Sequence, residues 1–189
     1  MLFAPASSQG RSGTDASTRS AAALVEALYR QHHLFVFRLA LRYGRGQKAW
    51  AEDVTQEVFL ELMRAIDVLK DVEHIEPWLY TVTTRRCFQR LKRERFLSLA
   101  PVRWILGERE QAVIEPDALL DARNDLKRAF EALEALPPKE RVAFSMYHLD
   151  GKSQDEIGEV LGHGKSYVCK LIQRAVELLR GAGWEVSDV

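Results

Sequence analysis

The chain has 189 residues, room for one domain or two small ones; 47% of them are apolar and 29% are charged, the balance of a soluble globular protein with real cores. No apolar run approaches the ~18 residues that a bilayer crossing needs, which excludes a spanning helix on sequence grounds. Lys plus Arg and Asp plus Glu number 27 each, so the formal net charge is zero, and a uniformly basic nucleic-acid binder is excluded as well.

The first twenty residues are rich in Ser, Ala, Gly and Thr, with Arg11, Arg19 and the single acid Asp15. They lack the amphipathic pattern of a targeting peptide and read as a disordered tail. From Leu24 to about Tyr43 the apolar residues Leu24, Leu28, Phe35 and Leu39 recur at helical spacing, and Gly44 and Gly46 end the run. A second helix is expected from Lys48 to Ile66, with Val54, Val58, Leu62 and Ile66 on one stripe. A loop follows over Asp67–Glu76. Pro77 suits the first turn of a third helix that runs to about Arg95.

The balanced net charge conceals a segregation. Arg85–Arg95 carries six bases (Arg85, Arg86, Arg90, Lys92, Arg93 and Arg95) and one acid, Glu94, whereas Gly107–Asp125 carries six acids and two bases. The basic block lies beside Trp78, Tyr80 and Phe88. Cations neutralise phosphates and aromatic rings stack on unpaired bases; Trp78 as a core residue stays equally open.

Phe96 to about Ala118 holds Pro101, Gly107 and Pro116 without a clear period and reads as a linker. Helices resume over about Leu119–Ala135, break at Pro137-Pro138, and continue from Lys139 to His148. The expected organisation is a tail (1–20), a helical module (21–96), a linker (97–118), a second helical module (119–182) and a short tail (183–189). The fold class is all-α, two small helical domains joined by a flexible linker.

Residues 151–180 carry the sharpest local pattern. Ser153-Gln154-Asp155-Glu156 matches a capping box. Ile157, Val160 and Leu161 give a short helix an apolar face, and Gly158 leaves room for a close neighbour. Gly162-His163-Gly164 makes a turn. A longer helix then opens at Lys165 with Val168, Leu171, Ile172, Ala175, Val176 and Leu179 inward. That is a helix-turn-helix, whose second helix enters the DNA major groove. Lys165, Ser166, Tyr167, Lys170 and Arg174 are expected to face the DNA. Gly164-Lys165-Ser166 imitates the end of a phosphate-binding loop, but the required first glycine is Glu159 and the segment follows a helix. For Gly151-Lys152-Ser153 the corresponding residue is Met146. A nucleotide hydrolase is therefore set aside.

Three stretches together resemble the bacterial σ70-family factors. Ala51-Glu52-Asp53-Val54-Thr55-Gln56-Glu57-Val58-Phe59-Leu60 resembles the family's second region. Trp78-Leu79-Tyr80 with the Arg85–Arg95 block resembles its promoter −10 helix. Ala135-Leu136-Pro137-Pro138-Lys139-Glu140-Arg141 with Gly151–Arg180 resembles its fourth region. Order and spacing are similar to the small two-domain group called extracytoplasmic function (ECF) sigma factors.

The resemblance implies a transcription initiation factor with no catalysis, cofactor or metal of its own, located in the cytoplasm. Asp53, Gln56, Glu57 and Leu60 share one helix surface and would meet the β′ clamp helices of core RNA polymerase, with the β flap as a second contact. Promoter DNA would meet Trp78, Tyr80, Arg85, Arg86, Arg90, Lys92 and Arg93 at the −10 element and the helix-turn-helix at −35. The Asp67–Glu76 loop would hold a flipped base, although Asp71, Glu73 and His74 make it acidic for that task. Charge reversal at Arg86 and Arg90 should weaken promoter binding. An anti-sigma factor is the implied regulator, and no membrane insertion is implied. The fourth-region helix departs from the family: Gly164 replaces a capping Ser, Cys169 a Lys and Leu171 an Arg. The alternative is an autonomous helix-turn-helix regulator, which needs neither the Asp53–Leu60 surface nor a second DNA module. Cys87 and Cys169 have no metal spacing and suit a reducing compartment.

Overall fold

A computed structural model of the chain describes residues 12–69, 74–99 and 120–186. Most of the linker expected at 97–118 lies in 100–119, outside the described residues, as do the middle of the loop at 70–73 and terminal residues 1–11 and 187–189. The first three residues of that expected linker, 97–99, are the end of a helix instead. Within them the protein is all-α, as expected, and contains no strand.

Three helices build the first unit: α1 (Ser12–Tyr43), α2 (Lys48–Ala65) and α3 (Ile75–Leu99). The helix α1 starts well before Leu24, over residues expected to be tail; the Ala21-Ala22-Ala23 run is strongly helix-forming. Its buried stripe is also rotated from the expected one. Leu28, His32, Val36, Leu39, Ala40 and Tyr43 are buried, while Leu24 and Phe35 are each 38% exposed. On α2 the expected stripe holds: Val54, Val58, Leu62 and Ile66 are all buried. Each such side chain contributes roughly 1.5–3 kcal/mol by leaving water.

The turn between α1 and α2 needs its glycines. A Cβ on Gly44 would lie 2.4 Å from the Trp50 ring, and Gly46 has φ +74°. Arg45, at φ 61°, also occupies the left-handed region, uncommon for a residue with a Cβ. Pro77 falls in the first turn of α3, where its missing N–H has no intrahelical acceptor to lose.

The second unit contains α4 (Leu120–Ala135), α5 (Pro138–Phe144), α6 (Gln154–Leu161) and α7 (Lys165–Gly181). The helix expected over Lys139–His148 is α5 followed by one π-helical turn, Ser145–Leu149. The Asp150 amide donates to the Ser145 carbonyl at 3.1 Å, five residues back. One extra residue in a turn re-aims the side chains beyond it, here that of Asp150. Burial pushes the His148 imidazole toward its neutral form, and its ring packs on Phe144 at 4.5 Å.

The two units are docked on each other. Val142, Ala143, Met146, Ile157, Leu161, Val168, Leu171 and Ile172 belong to one continuous apolar cluster with the core of the first unit. A smaller cluster of Leu136, Phe144, Ala175, Val176 and Leu179 holds α5 to α7. Periodicity along each helix foretold the faces but not this shared core.

Candidate nucleic-acid interface

The helix-turn-helix forms as its residues dictate. Ser153 Oγ accepts from the Glu156 amide, and the Glu156 carboxylate accepts from the Ser153 amide at 2.8 Å. The Ser153 amide first, then the Lys152 and Ser153 side chains, hold the Glu156 carboxyl down at about 2. Gly162 ends α6 in the left-handed region at φ +71°, the usual glycine C-cap geometry. Gly158 is required by proximity: a Cβ there would lie 2.4 Å from the His163 carbonyl oxygen. The close neighbour expected of Gly158 is thus the turn itself.

On α7 all six expected inward residues are buried, and Lys165, Ser166, Tyr167, Lys170 and Arg174 are exposed. Gly164 provides no side-chain cap; its carbonyl accepts from the Tyr167 and Val168 amides at 3.0 and 3.1 Å. Lys165 Nζ donates to Asp155 Oδ2 at 3.0 Å, but both side chains are more than 60% exposed, and such a pair is worth at most ~1 kcal/mol. Arg174 lies 3.8 Å from the buried carboxylate of Glu140. Two residues join this surface that sequence reading did not assign to it. Lys139 places its ammonium 5.4 Å from the Tyr167 ring centroid, and His163 packs on the same ring at 4.6 Å. The approach of Lys139 depends on how α5 meets α7, for which no short-range pattern exists, whereas His163 precedes Tyr167 by four residues.

The basic face of α3 is differently disposed. Arg86 is ion-paired to Glu61. Arg90 reaches Asp53 at 2.7 Å and Glu57 at 3.6 Å, lies over the Trp50 ring, and is only 21% exposed. Trp50 Nε1 in turn donates to Glu94 at 2.8 Å. Arg86 and Arg90 therefore tie α3 to α2, and charge reversal at either would strike the fold as well as any DNA contact. Lys92 and Arg93 are exposed, with Lys92 alongside the Phe88 ring. Trp78 is half-buried and packs against the core. His74 and Glu76 are exposed at the described end of the loop.

Tyr80 and Arg85 point at the second unit. The Tyr80 hydroxyl donates to Asp150 Oδ2 at 2.8 Å, and Arg42 is ion-paired to Asp150 Oδ1. Burial, then the Asp150 carboxylate, push the Tyr80 phenol well above its ordinary range. Arg85 donates to the Glu159 carbonyl at 3.1 Å and the Val160 carbonyl at 3.3 Å, at the end of α6. Arg141, almost fully buried, donates to the Tyr43 carbonyl at 2.6 Å. It satisfies an end-of-helix oxygen that α1 itself cannot. Burial lowers its guanidinium to about 10. Arg45 pairs with Glu134 at 2.5 Å.

On α2, Asp53, Gln56, Glu57 and Leu60 are exposed together, as their spacing requires. Met63, 55% exposed, extends the apolar part beside Leu60, which is 50% exposed. Asp53 and Glu57 have the second task of holding Arg90. Among the described residues no cluster of three His, Cys, Asp or Glu side chains could hold a metal ion, and no helix is long and apolar enough to cross a membrane.

Residues 28–96 match the family described as Sigma-70 region 2, and residues 126–179 match Sigma-70, region 4. The chain is 31% identical over 157 residues to the "Probable ECF RNA polymerase sigma factor SigI" of Mycobacterium tuberculosis, covering 80% of this chain and 52% of that protein. It therefore spans about half the length of that relative. It is 31% identical over 160 residues to the ECF RNA polymerase sigma factor SigL of the same species, covering 84% of this chain and 88% of that protein. Among solved structures, the sigma factor RpoE of Bartonella quintana, in complex with the anti-sigma factor NepR, shares the fold. The TM-score is 0.59 at 18% identity, over 82% of this chain and 94% of that one.

Proposed function

We propose a function from one premise: the chain belongs to the sigma-70 family, in its ECF group of RNA polymerase sigma factors. It joins core RNA polymerase and directs it to promoters, and it catalyses nothing by itself. The α2 surface of Asp53, Gln56, Glu57, Leu60 and Met63 docks on the polymerase, a polar rim around an apolar centre. The exposed cations of α3, with Tyr80 and Arg85, take the −10 element. The α7 surface takes the −35 element, where Lys165, Lys170 and Arg174 meet phosphates and base edges and Tyr167 adds contact area. The protein works in the cytoplasm, where its promoters are, and an anti-sigma factor governs access to it.

The observation that carries this reading is the presence in one chain of a helix-turn-helix with an exposed cationic helix and, on a separate helix, a mixed acidic and apolar surface. An autonomous regulator needs only the first. Run-off transcription with purified core polymerase on fragments of the source genome tests it. Discrete starts that require both core and this chain support the reading. Tight duplex binding without any promoter-specific start would return the chain to the autonomous class.

A further inference from the structure

We infer that Arg90 is a positioning residue for the polymerase-docking surface: from α3 it holds the Asp53 and Glu57 carboxylates of α2 in place for cationic side chains of the partner. The inference rests on the reading of α2 as that surface. Arg90 lies 2.7 Å from Asp53, 3.6 Å from Glu57 and 3.8 Å from Glu94. Its guanidinium is itself confined, only 21% exposed and 5.3 Å from the centroid of the Trp50 ring beneath it.

The confinement is built from the turn before α2. Gly44 leaves room for the Trp50 ring, which a Cβ there would meet at 2.4 Å, and Trp50 is buried. Its indole N–H donates to Glu94 at 2.8 Å, so ring and carboxylate are both fixed beside the guanidinium. A planar guanidinium stacks on an aromatic face and presents its donors at fixed angles, which a lysine ammonium does not. Arg90 is thus a rigid anchor for two carboxylates that are about half exposed, 57% for Asp53 and 48% for Glu57.

An exposed acidic side chain samples several rotamers, and a partner that uses it must freeze it. Arg90 does part of that freezing before the partner arrives. The charge of the cluster also stays unbalanced: one guanidinium faces three carboxylates, which leaves two negative charges in surplus. The surface therefore fits a partner that brings Arg or Lys side chains to the carboxylates and an apolar side chain to exposed Leu60 and Met63. Arg86 and Glu61 also join α3 to α2, but Glu61 stands outside the docking set and supplies the contrast.

The test measures binding of the full chain to purified core polymerase by surface plasmon resonance, without DNA, so that no promoter contact enters. Arg90→Lys keeps the charge and removes the planar fork. It should weaken binding about three- to tenfold through faster dissociation, with association near wild type. Asp53→Asn should weaken binding of the wild-type chain, and weaken it less in the Arg90→Lys chain, where the carboxylate is no longer held. Glu61→Gln breaks the neighbouring α2–α3 pair. It should lower the thermal midpoint as Arg90→Lys does, yet keep affinity within about twofold of wild type. Should Arg90→Lys fail to fold by circular dichroism, Glu94→Gln, which loosens the same guanidinium from outside the docking set, takes its place. Wild-type affinity in Arg90→Lys, an undiminished Asp53→Asn effect in that background, or an equal loss in Glu61→Gln overturns the positioning role. The two readings part on Asp53: if Asp53→Asn weakens binding and Arg90→Lys does not, the positioning role alone falls. If the chain binds core and Asp53→Asn leaves affinity unchanged, the docking surface falls and the positioning role with it.

Discussion

The cationic surfaces of α3 and α7 use the same residue types and are held in opposite conditions. On α3, Arg86 and Arg90 are paired with Glu61, Asp53 and Glu57, and Arg85 is bonded to the end of α6. On α7, Lys165 and Arg174 have only an exposed partner or a distant one. A positive residue in a sequence is thus a different object according to the neighbours that the fold brings to it. Half of the basic block is architecture, and Lys165, Lys170 and Arg174 on α7 stand exposed.

Substitutions on the two helices put this contrast to experiment. The largest effect is expected at Ile172, fully buried beneath the α7 surface. Ile172→Ala should cost ~2–5 kcal/mol in denaturant unfolding, because the lost side chain leaves a cavity, and duplex binding should go with it. Substituting Gly158 by Ala forces a Cβ against the His163 carbonyl; a cost of ~1–3 kcal/mol is expected from the overpacking, read as a lower thermal midpoint. Charge reversal on the two kinds of cation probes the contrast itself. Arg86→Glu, set against Glu61, should lower stability by ~1–3 kcal/mol. Lys92→Glu should leave the midpoint near wild type and weaken promoter binding by holoenzyme, with a salt slope shallower by about one. Equal stability losses would erase the distinction between them.

The smallest effect concerns pH. The Glu156 carboxyl lies at about 2 in the folded chain, against an ordinary 4.5. Because the folded value is the lower one, its stabilisation is complete above about pH 4.5 and is lost as pH falls through about 2. The amides of Ser153 and Glu156 should lose hydrogen-exchange protection across that interval before α7 does. Ser153→Ala removes the hydroxyl half of the box and should cost ~0.5–2 kcal/mol at neutral pH.

Sequence periodicity read α2 and α7 residue by residue, because each buries one regular stripe. It read α1 on a rotated face, since that helix packs beside α2 and α3 and its exposed Leu24 and Phe35 mimic a core spacing. The capping box, the Gly158 contact and the five outward residues of α7 were legible because they follow from neighbours in sequence. Asp150 was not: nothing nearby distinguishes it from a loop acid, and its partners lie 108 and 70 residues away. The dual use of Asp53 and Glu57 was hidden in the same way, as was the contribution of Lys139 to the Tyr167 surface. Local chemistry announces itself in sequence, whereas pairing across the fold needs the packing that creates it.

On the proposed function, one chain offers the α3 and α7 surfaces to two elements of a promoter, and α3 meets its element on the polymerase. Footprinting of a mapped promoter, combined with permanganate reactivity of unpaired thymines, measures both at once. With core polymerase, protection is expected at two patches about two helical turns apart. The upstream patch should be lost with Lys170→Ala and Arg174→Ala, and thymine reactivity at the downstream patch with Lys92→Ala and Arg93→Ala. Protection of both patches by the chain alone, or thymine reactivity without polymerase, would contradict this division of labour.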